Sequence, residues 1–271
     1  MARRGTPTVE RVFRDVVAAV RDLGVEIRRE LALTVVPSDG EVVVAHQPVG
    51  PRPGLAEARV LGQRVLDRGE RLLVVERLGL PVPPWAPAGD DAAVDRLSAG
   101  AGRLLFKADR SYKGRHVRLL APGERPTDVR PGDVVMTALE EDPITYKAHA
   151  FGATMISSHA YHSPPADQLP FPGGVYDYEL FGPDPEMQDI VAAVGRAFLG
   201  YGAGYCAADL MRQDGRWWVI EVNTGAVGLS STWGRWPDRY AAAYTEALTA
   251  WLAEGAPAPS LGQAEQRARE L

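Results

Sequence analysis

The residues predict an α+β fold, and three observations carry that expectation. Apolar and aromatic runs on either side of turn chemistry pair as a hairpin, with Tyr205 to Met211 and Trp217 to Asn223 flanking Gln213-Asp214-Gly215-Arg216. A strand–loop–strand unit runs from Leu104 to Leu120. Apolar residues at helical spacing occupy separate stretches, as with Ile190, Val191, Val194 and Phe198. At 271 residues the chain can bury a core in two small domains or one large one.

The first segment is the least informative. Phe13, Val16, Val17 and Val20 recur at helical intervals within Val9 to Leu23, and Gly24 supplies a stop. Leu31 to Val36 and Glu41 to Ala45, separated by Pro37-Ser38-Asp39-Gly40, are expected as a hairpin. A second helix is expected from Leu55 to about Val75, where an N-terminal domain would end.

Leu104-Leu105-Phe106-Lys107 is a short strand ending in a lysine, and the loop Ser111-Tyr112-Lys113-Gly114-Arg115-His116-Val117 follows it. Backbone NH groups of such a loop can lie against oxyanions, with Lys107 as a point charge. A solvated strand-end lysine is the alternative. No GxxxxGK[ST] precedes a helix, so this is not a Walker loop.

Beyond the apolar run Val134 to Leu139 and the strand around Lys147, His159 and His162 flank Tyr161; without a cysteine or carboxylate they are expected as surface or substrate-pocket residues rather than zinc ligands. Ser163 to Gly174 is rich in Pro and Gly and is expected either as a substrate lid or as a surface connection. Asp184-Pro185 reads as an N-cap and first turn, and the helix it opens should stop before Gly200.

The 205–223 hairpin carries the metal-ligand chemistry. Glu221 and Asn223 project to one face while Val222 points to the other. A two-residue Asp214-Gly215 loop would pair Asp209 with Ile220 and put the two carboxylates on opposite faces. A three-residue loop through Arg216 pairs Asp209 with Glu221 directly, and this loop is the one expected. Like charges that close call for a cation between them. Magnesium takes oxygen ligands at ~2.1 Å, usually one or two carboxylates with phosphates and water completing the shell. Asp209, Glu221 and Asn223 are the candidate ligands; the other reading is a solvated sheet face. Cys206 should lie on the opposite face from Asp209 in a buried apolar role.

Thr224 to Thr232 is a loop of small and hydroxyl residues, followed by Arg235 and Arg239. It suits either an acceptor-substrate loop, with an arginine on a carboxylate, or a plain turn. Tyr240, Tyr244, Leu248 and Trp251 mark the buried stripe of the next helix, and Gly255 to Leu271 is expected as a loosely attached tail.

Taken in order, these segments resemble the ATP-grasp superfamily of ATP-dependent ligases and kinases, over about residues 76 to 236. Leu78-Gly79-Leu80-Pro81-Val82-Pro83 is similar to the family's Gly-Ile-Pro-x-Pro entry, and Gly114 and Val117 match its glycine loop while two glycines of that loop are replaced. Val134 to Glu140 is similar to the hinge strand, and Thr145 to Gly152 to the strand that usually carries arginine, where this chain has Lys147. That substitution resembles a divergent arginine-to-lysine branch. An early lysine is missing, and Arg68 or Arg71 is expected to stand in.

The resemblance implies a small N-terminal α/β domain (1–75), a small subdomain (76–135), a large subdomain with the metal site (136–252) and a tail (253–271). It implies ATP held by Lys107, Ser111, Gly114, Met136, Thr137, Ala138, Leu139 and Lys147, with Mg2+ on Asp209, Glu221 and Asn223. Lys147 and Arg235 are the implied catalytic residues. The implied reaction is carboxylate–amine ligation through an acyl phosphate, on small-molecule or peptide substrates. Kinase activity on a hydroxyl, or non-catalytic ATP-dependent assembly, are the competing readings. A homodimer is a further expectation.

Composition narrows the classes. The formal net charge of −5 and pI of about 5.6 do not favour a nucleic-acid groove. One cysteine excludes an internal disulfide. No apolar run approaches membrane length, and Met1-Ala2-Arg3-Arg4 is not followed by an apolar leader core, so a cytoplasmic protein is expected.

Overall fold

The computed structural model describes residues 7–21, 42–49, 57–63, 66–100, 102–109, 117–139, 144–162, 179–182, 184–224 and 235–271. Helix α1 (Pro7–Arg21) forms where its apolar spacing predicts, and buries Val16 and Val20. Strand β1 (Val42–Val49) pairs in parallel with β2 (Arg59–Gln63). The first strand and turn of the hairpin expected at 31–45 lie outside the described residues.

The helix expected over 55–75 is corrected to β2 followed by α2 (Arg68–Arg77). Two local features set the break. Gly62 takes φ +111°, which no right-handed helix accommodates. Asp67 then caps α2 in a reciprocal box with Glu70, each side chain accepting from the other's backbone NH.

The smaller sheet contains β3 (Trp85–Pro87), β4 (Leu104–Lys107), β5 (Val117–Leu120) and β6 (Val134–Thr137), in the antiparallel order β3-β6-β4-β5. Alternation along β4 and β6 decides which side each residue serves. Leu104, Phe106 and Val135 pack with Val94 of α3 (Asp91–Gly100). Val134 and Met136 instead pack with Leu72 of α2. Lys107, two residues after Leu105 on the strand, shares that second side.

The larger sheet runs β11-β10-β7-β8-β9, all antiparallel, from β7 (Ile144–Phe151), β8 (Thr154–His162), β9 (Glu179–Leu180), β10 (Tyr205–Gln213) and β11 (Arg216–Thr224). One face carries α4 (Pro185–Leu199), whose Ile190, Val191, Val194 and Phe198 meet Ala148, Cys206, Leu210 and Trp217. Asp184 caps α4, as its sequence predicts. Burying a side chain such as Phe198 stabilises the fold by roughly 1.5–3 kcal/mol. The helix approaches so closely that a Cβ on Gly195 would sit 1.9 Å from the carbonyl oxygen of Gly152.

The opposite face carries α5 (Pro237–Ala253), with Tyr240, Tyr244, Leu248 and Trp251 buried as the periodicity predicts. Residues 255–271 are not a loose tail. Ser260 and Gln263 form a capping box for α6 (Leu261–Arg269), Leu261 and Ala264 are buried, and Arg59 donates to the carbonyls of Ala256 and Ala258. Among the described residues no helix is long and apolar enough to cross a membrane.

Candidate functional site

The hairpin joining β10 and β11 has a two-residue turn, not the three-residue loop expected. Asp214 and Gly215 both have positive φ, +53° and +73°, the requirement of the tight hairpin turn that Asp-Gly favours. Gln213 therefore pairs with Arg216, and the ladder continues to Leu210 opposite Val219. There the register shifts, and Asp209 pairs with Glu221. Ile220 is the extra residue of a β-bulge. Its effect is visible in the core, where Trp217, Val219 and Val222 all lie on one side despite the three-residue step between the last two. Asp209 and Glu221 thus share a face by a route other than the one predicted.

The same rung extends across the sheet. Lys147 on β7 is the partner of Asp209, and His159 on β8 is the partner of Lys147. The Lys147 ammonium forms an ion pair with Asp209 Oδ1. The next rung holds Asn223, Ala207, His149 and Ser157, with His149 Nδ1 and Ser157 Oγ 3.2 Å apart.

Two more cations arrive from outside the sheet. Lys107, at the end of β4, donates from Nζ to the carbonyl of the bulge residue Ile220 at 3.2 Å. Arg68, in the first turn of α2, places Nη1 2.7 Å from Glu221 Oε2. Arg71, the other arginine expected to replace the missing lysine, is used structurally, bonding the Leu66 carbonyl at 2.7 Å and Asp109 Oδ1 at 3.4 Å.

Burial sets the electrostatics. It lowers Lys107 to about 8, aided by Arg68 and opposed by Glu221 and Asp209. For Asp209 burial raises the carboxyl above its ordinary range, and Lys147 offsets only part of that. For Glu221 burial also pushes upward, but Arg68 and Lys107 outweigh it and hold the group ionised. Three cations therefore face two carboxylates, a surplus that suits a polyanion.

The oxygen set fits magnesium. Asp209 Oδ1 is buried and, apart from the Lys147 charge, makes no hydrogen bond. Among the described residues no three His, Cys, Asp or Glu side chains gather as a metal site, so the third oxygen would be the Asn223 amide.

The remaining expected residues fall in three places. Met136 and Ala138 are buried and Thr137 and Leu139 half-buried at the end of β6, with Thr137 NH bonded to Pro84 and Ala138 NH to Arg103. Thr137 Oγ1 is buried without a partner. Ser111 and Gly114 lie outside the described residues, as do the whole Pro/Gly-rich segment 163–174 and the loop 225–234. Arg235 is exposed on the turn before α5 and does not sit on the rung that carries Lys147.

His159 is neither a surface nor a pocket residue. It is fully buried, stacked on Trp236 at 5.4 Å and 12°, and its Nε2 is bonded to the Tyr240 hydroxyl. Burial, then Arg239 and Lys147, lower it to about 4. His162 is exposed.

Two contributors were missed in the sequence. Asp109 accepts from the Arg68 backbone NH at 2.8 Å and so fixes the first turn of α2, but nothing in Lys107-Ala108-Asp109 marks that role. Ile220 did leave a signal, because the buried apolar positions step from 217 to 219 and then to 222.

No family model and no curated protein matches the chain. Solved structures do. A RimK domain ATP-grasp protein from Sphaerobacter thermophilus is 16% identical, with a TM-score of 0.57 over 91% of this chain and 96% of that one. The D-cycloserine synthetase DcsG is 19% identical, with a TM-score of 0.53 over 89% and 96%. The ATP-grasp ligase PsnB, solved with a minimal precursor, is 19% identical, with a TM-score of 0.53 over 71% and 63%. This chain therefore spans less than two thirds of the length of PsnB.

Proposed function

From the premise that this chain has the ATP-grasp fold, we propose that it is an ATP-dependent ligase joining a carboxylate to an amine through an acyl phosphate. The observation that carries this reading is the meeting of Lys107, from one sheet, with the Lys147, Asp209 and Glu221 rung of the other. A buried site with excess positive charge beside paired carboxylates is matched by a nucleotide triphosphate and a divalent ion.

In this reading Lys107 and Lys147 bind phosphate oxygens, and Met136 to Leu139 pack against the adenine. Asp209, Glu221 and Asn223 would hold Mg2+, which when bound offsets charge on the phosphate oxygens. A substrate carboxylate oxygen bonds to the γ-phosphorus as the bond to the ADP oxygen breaks. The amine nitrogen then bonds to the acyl carbon, phosphate leaves with the electron pair, and the amine loses a proton to solvent. The protein contributes position and charge, and no covalent nucleophile is required. PsnB has been solved with a precursor peptide and with Mg and ADP, which supports a peptide among the substrates to be tried.

Lys147 favours one second reading. Lysine lacks the fork with which arginine grips a carboxylate, so a hydroxyl acceptor, and hence a kinase, fits the same scaffold. A panel of small acids, amines and peptides scored by ADP release, with ¹⁸O-labelled carboxylate, separates the two. A ligase passes label into the released phosphate. Turnover without label transfer assigns a kinase, and ATP binding without turnover on any acceptor assigns a non-catalytic role.

A further inference from the structure

Both carboxylates among the proposed metal ligands are engaged by the protein's own cations. The Arg68 guanidinium lies 2.7 Å from Glu221, with the two side chains only 4% and 18% exposed, and Lys147 covers Asp209. Lys107 adds a third positive charge beside Glu221 and Asp209. A divalent ion approaching alone meets three like charges and must displace at least one of them.

Resting on the ATP reading of this site, we infer that Arg68 is a latch on Glu221 that makes divalent-metal binding depend on nucleotide. The guanidinium has a second anion to go to. A phosphate offers the same planar, two-point recognition as a carboxylate, so Arg68 exchanges one for the other without becoming a buried unpaired charge. Its Nε is buried with no hydrogen bond in the present arrangement, leaving a donor ready for that exchange. The backbone cannot follow, because Asp109 holds the Arg68 NH and also meets Arg71, so release is a side-chain movement. Once Arg68 turns to phosphate, Glu221 is open to the metal. By linkage, metal tightens nucleotide by the same factor that nucleotide tightens metal.

The test is calorimetry of the full chain with Mn2+ alone, AMPPNP alone, and AMPPNP with Mn2+ present. The wild type is expected to give no measurable Mn2+ binding without nucleotide and to bind AMPPNP at least about tenfold more tightly with Mn2+. Arg68→Met should bind Mn2+ alone and lose most of that coupling. Arg68→Lys, which keeps the charge but not the fork, should fall between them. Wild-type protein that binds Mn2+ equally well with and without AMPPNP overturns the latch while leaving the nucleotide reading intact, and so does unchanged coupling in both variants. Absence of AMPPNP binding under every condition overturns the nucleotide reading itself, and the latch with it.

Discussion

Asp209 faces Glu221 across β10 and β11 even though the two-residue turn joining those strands would by itself set Asp209 against Ile220. One extra residue rotates the far end of β11 and brings the second carboxylate to the side of the first. The carbonyl of that residue is also the acceptor for Lys107, so a single backbone irregularity positions an acid and anchors a cation.

If these carboxylates hold the metal, removing either charge is costly. Asp209→Asn and Glu221→Gln should each lower magnesium-dependent turnover at least about a hundredfold, a loss of roughly 2.7 kcal/mol in transition-state stabilisation. Steady-state ADP release compares the variants. Wild-type rates in Glu221→Gln would remove it from the ligand set.

Nucleotide affinity should depend on pH through Lys107, whose buried ammonium titrates at about 8. The charged form is present below that value and is lost as pH rises through it, so Mg·AMPPNP affinity should be flat toward pH 7. It should then weaken by up to about tenfold per pH unit above 8. In Lys107→Arg the decline should disappear. Calorimetry across pH 7 to 9 is the measurement, and an equally steep decline in that variant would assign the titration to another group.

His159 makes a stability prediction of the opposite sense. Its folded value, about 4, lies below that of the unfolded imidazole, about 6.5. The unfolded chain takes up the proton first as pH falls. The contribution of the neutral ring is complete above about 6.5 and drains away between there and 4. Urea unfolding at pH 7 and pH 5 should show a larger loss for wild type than for His159→Gln. Equal losses would mean that other groups set the acid dependence.

Gly195→Ala tests the seat of α4. The added methyl would meet the Gly152 carbonyl oxygen at 1.9 Å, so the tip of the β7–β8 turn and the helix would have to part. Overpacking of this kind costs about 1–3 kcal/mol. Thermal or urea unfolding should register it, while Gly100→Ala, with nothing near the new atom, should not.

The expected α4 and α5 were legible because each has a full apolar stripe, and their buried residues are those the spacing named. The facing of Asp209 and Glu221 was legible too, from the requirement that a metal pair share a side, although the turn proposed to achieve it was wrong. Asp-Gly is so well suited to a two-residue turn that the correction had to come later in the strand. Helix α6 was not legible, since its buried face is Leu261 and Ala264 and its hold depends on caps and on Arg59, far away in sequence. Strand β2 was missed for a similar reason, as five residues paired in parallel with a distant segment carry little periodicity of their own. His159 was expected at the surface or in a substrate pocket because its cover, Trp236 and Tyr240, comes from the start of α5 more than seventy residues on.

Helix α2 is a member of two cores at once. Leu72 lies with Val134 and Met136 under the smaller sheet, while Val74 and Val75 lie with Trp217 and Val219 against the larger. A helix wedged in this way ties the two sheets together through opposite edges. Changes aimed at this site should therefore leave both apolar edges of α2 alone, because trimming either would unseat the guanidinium it carries.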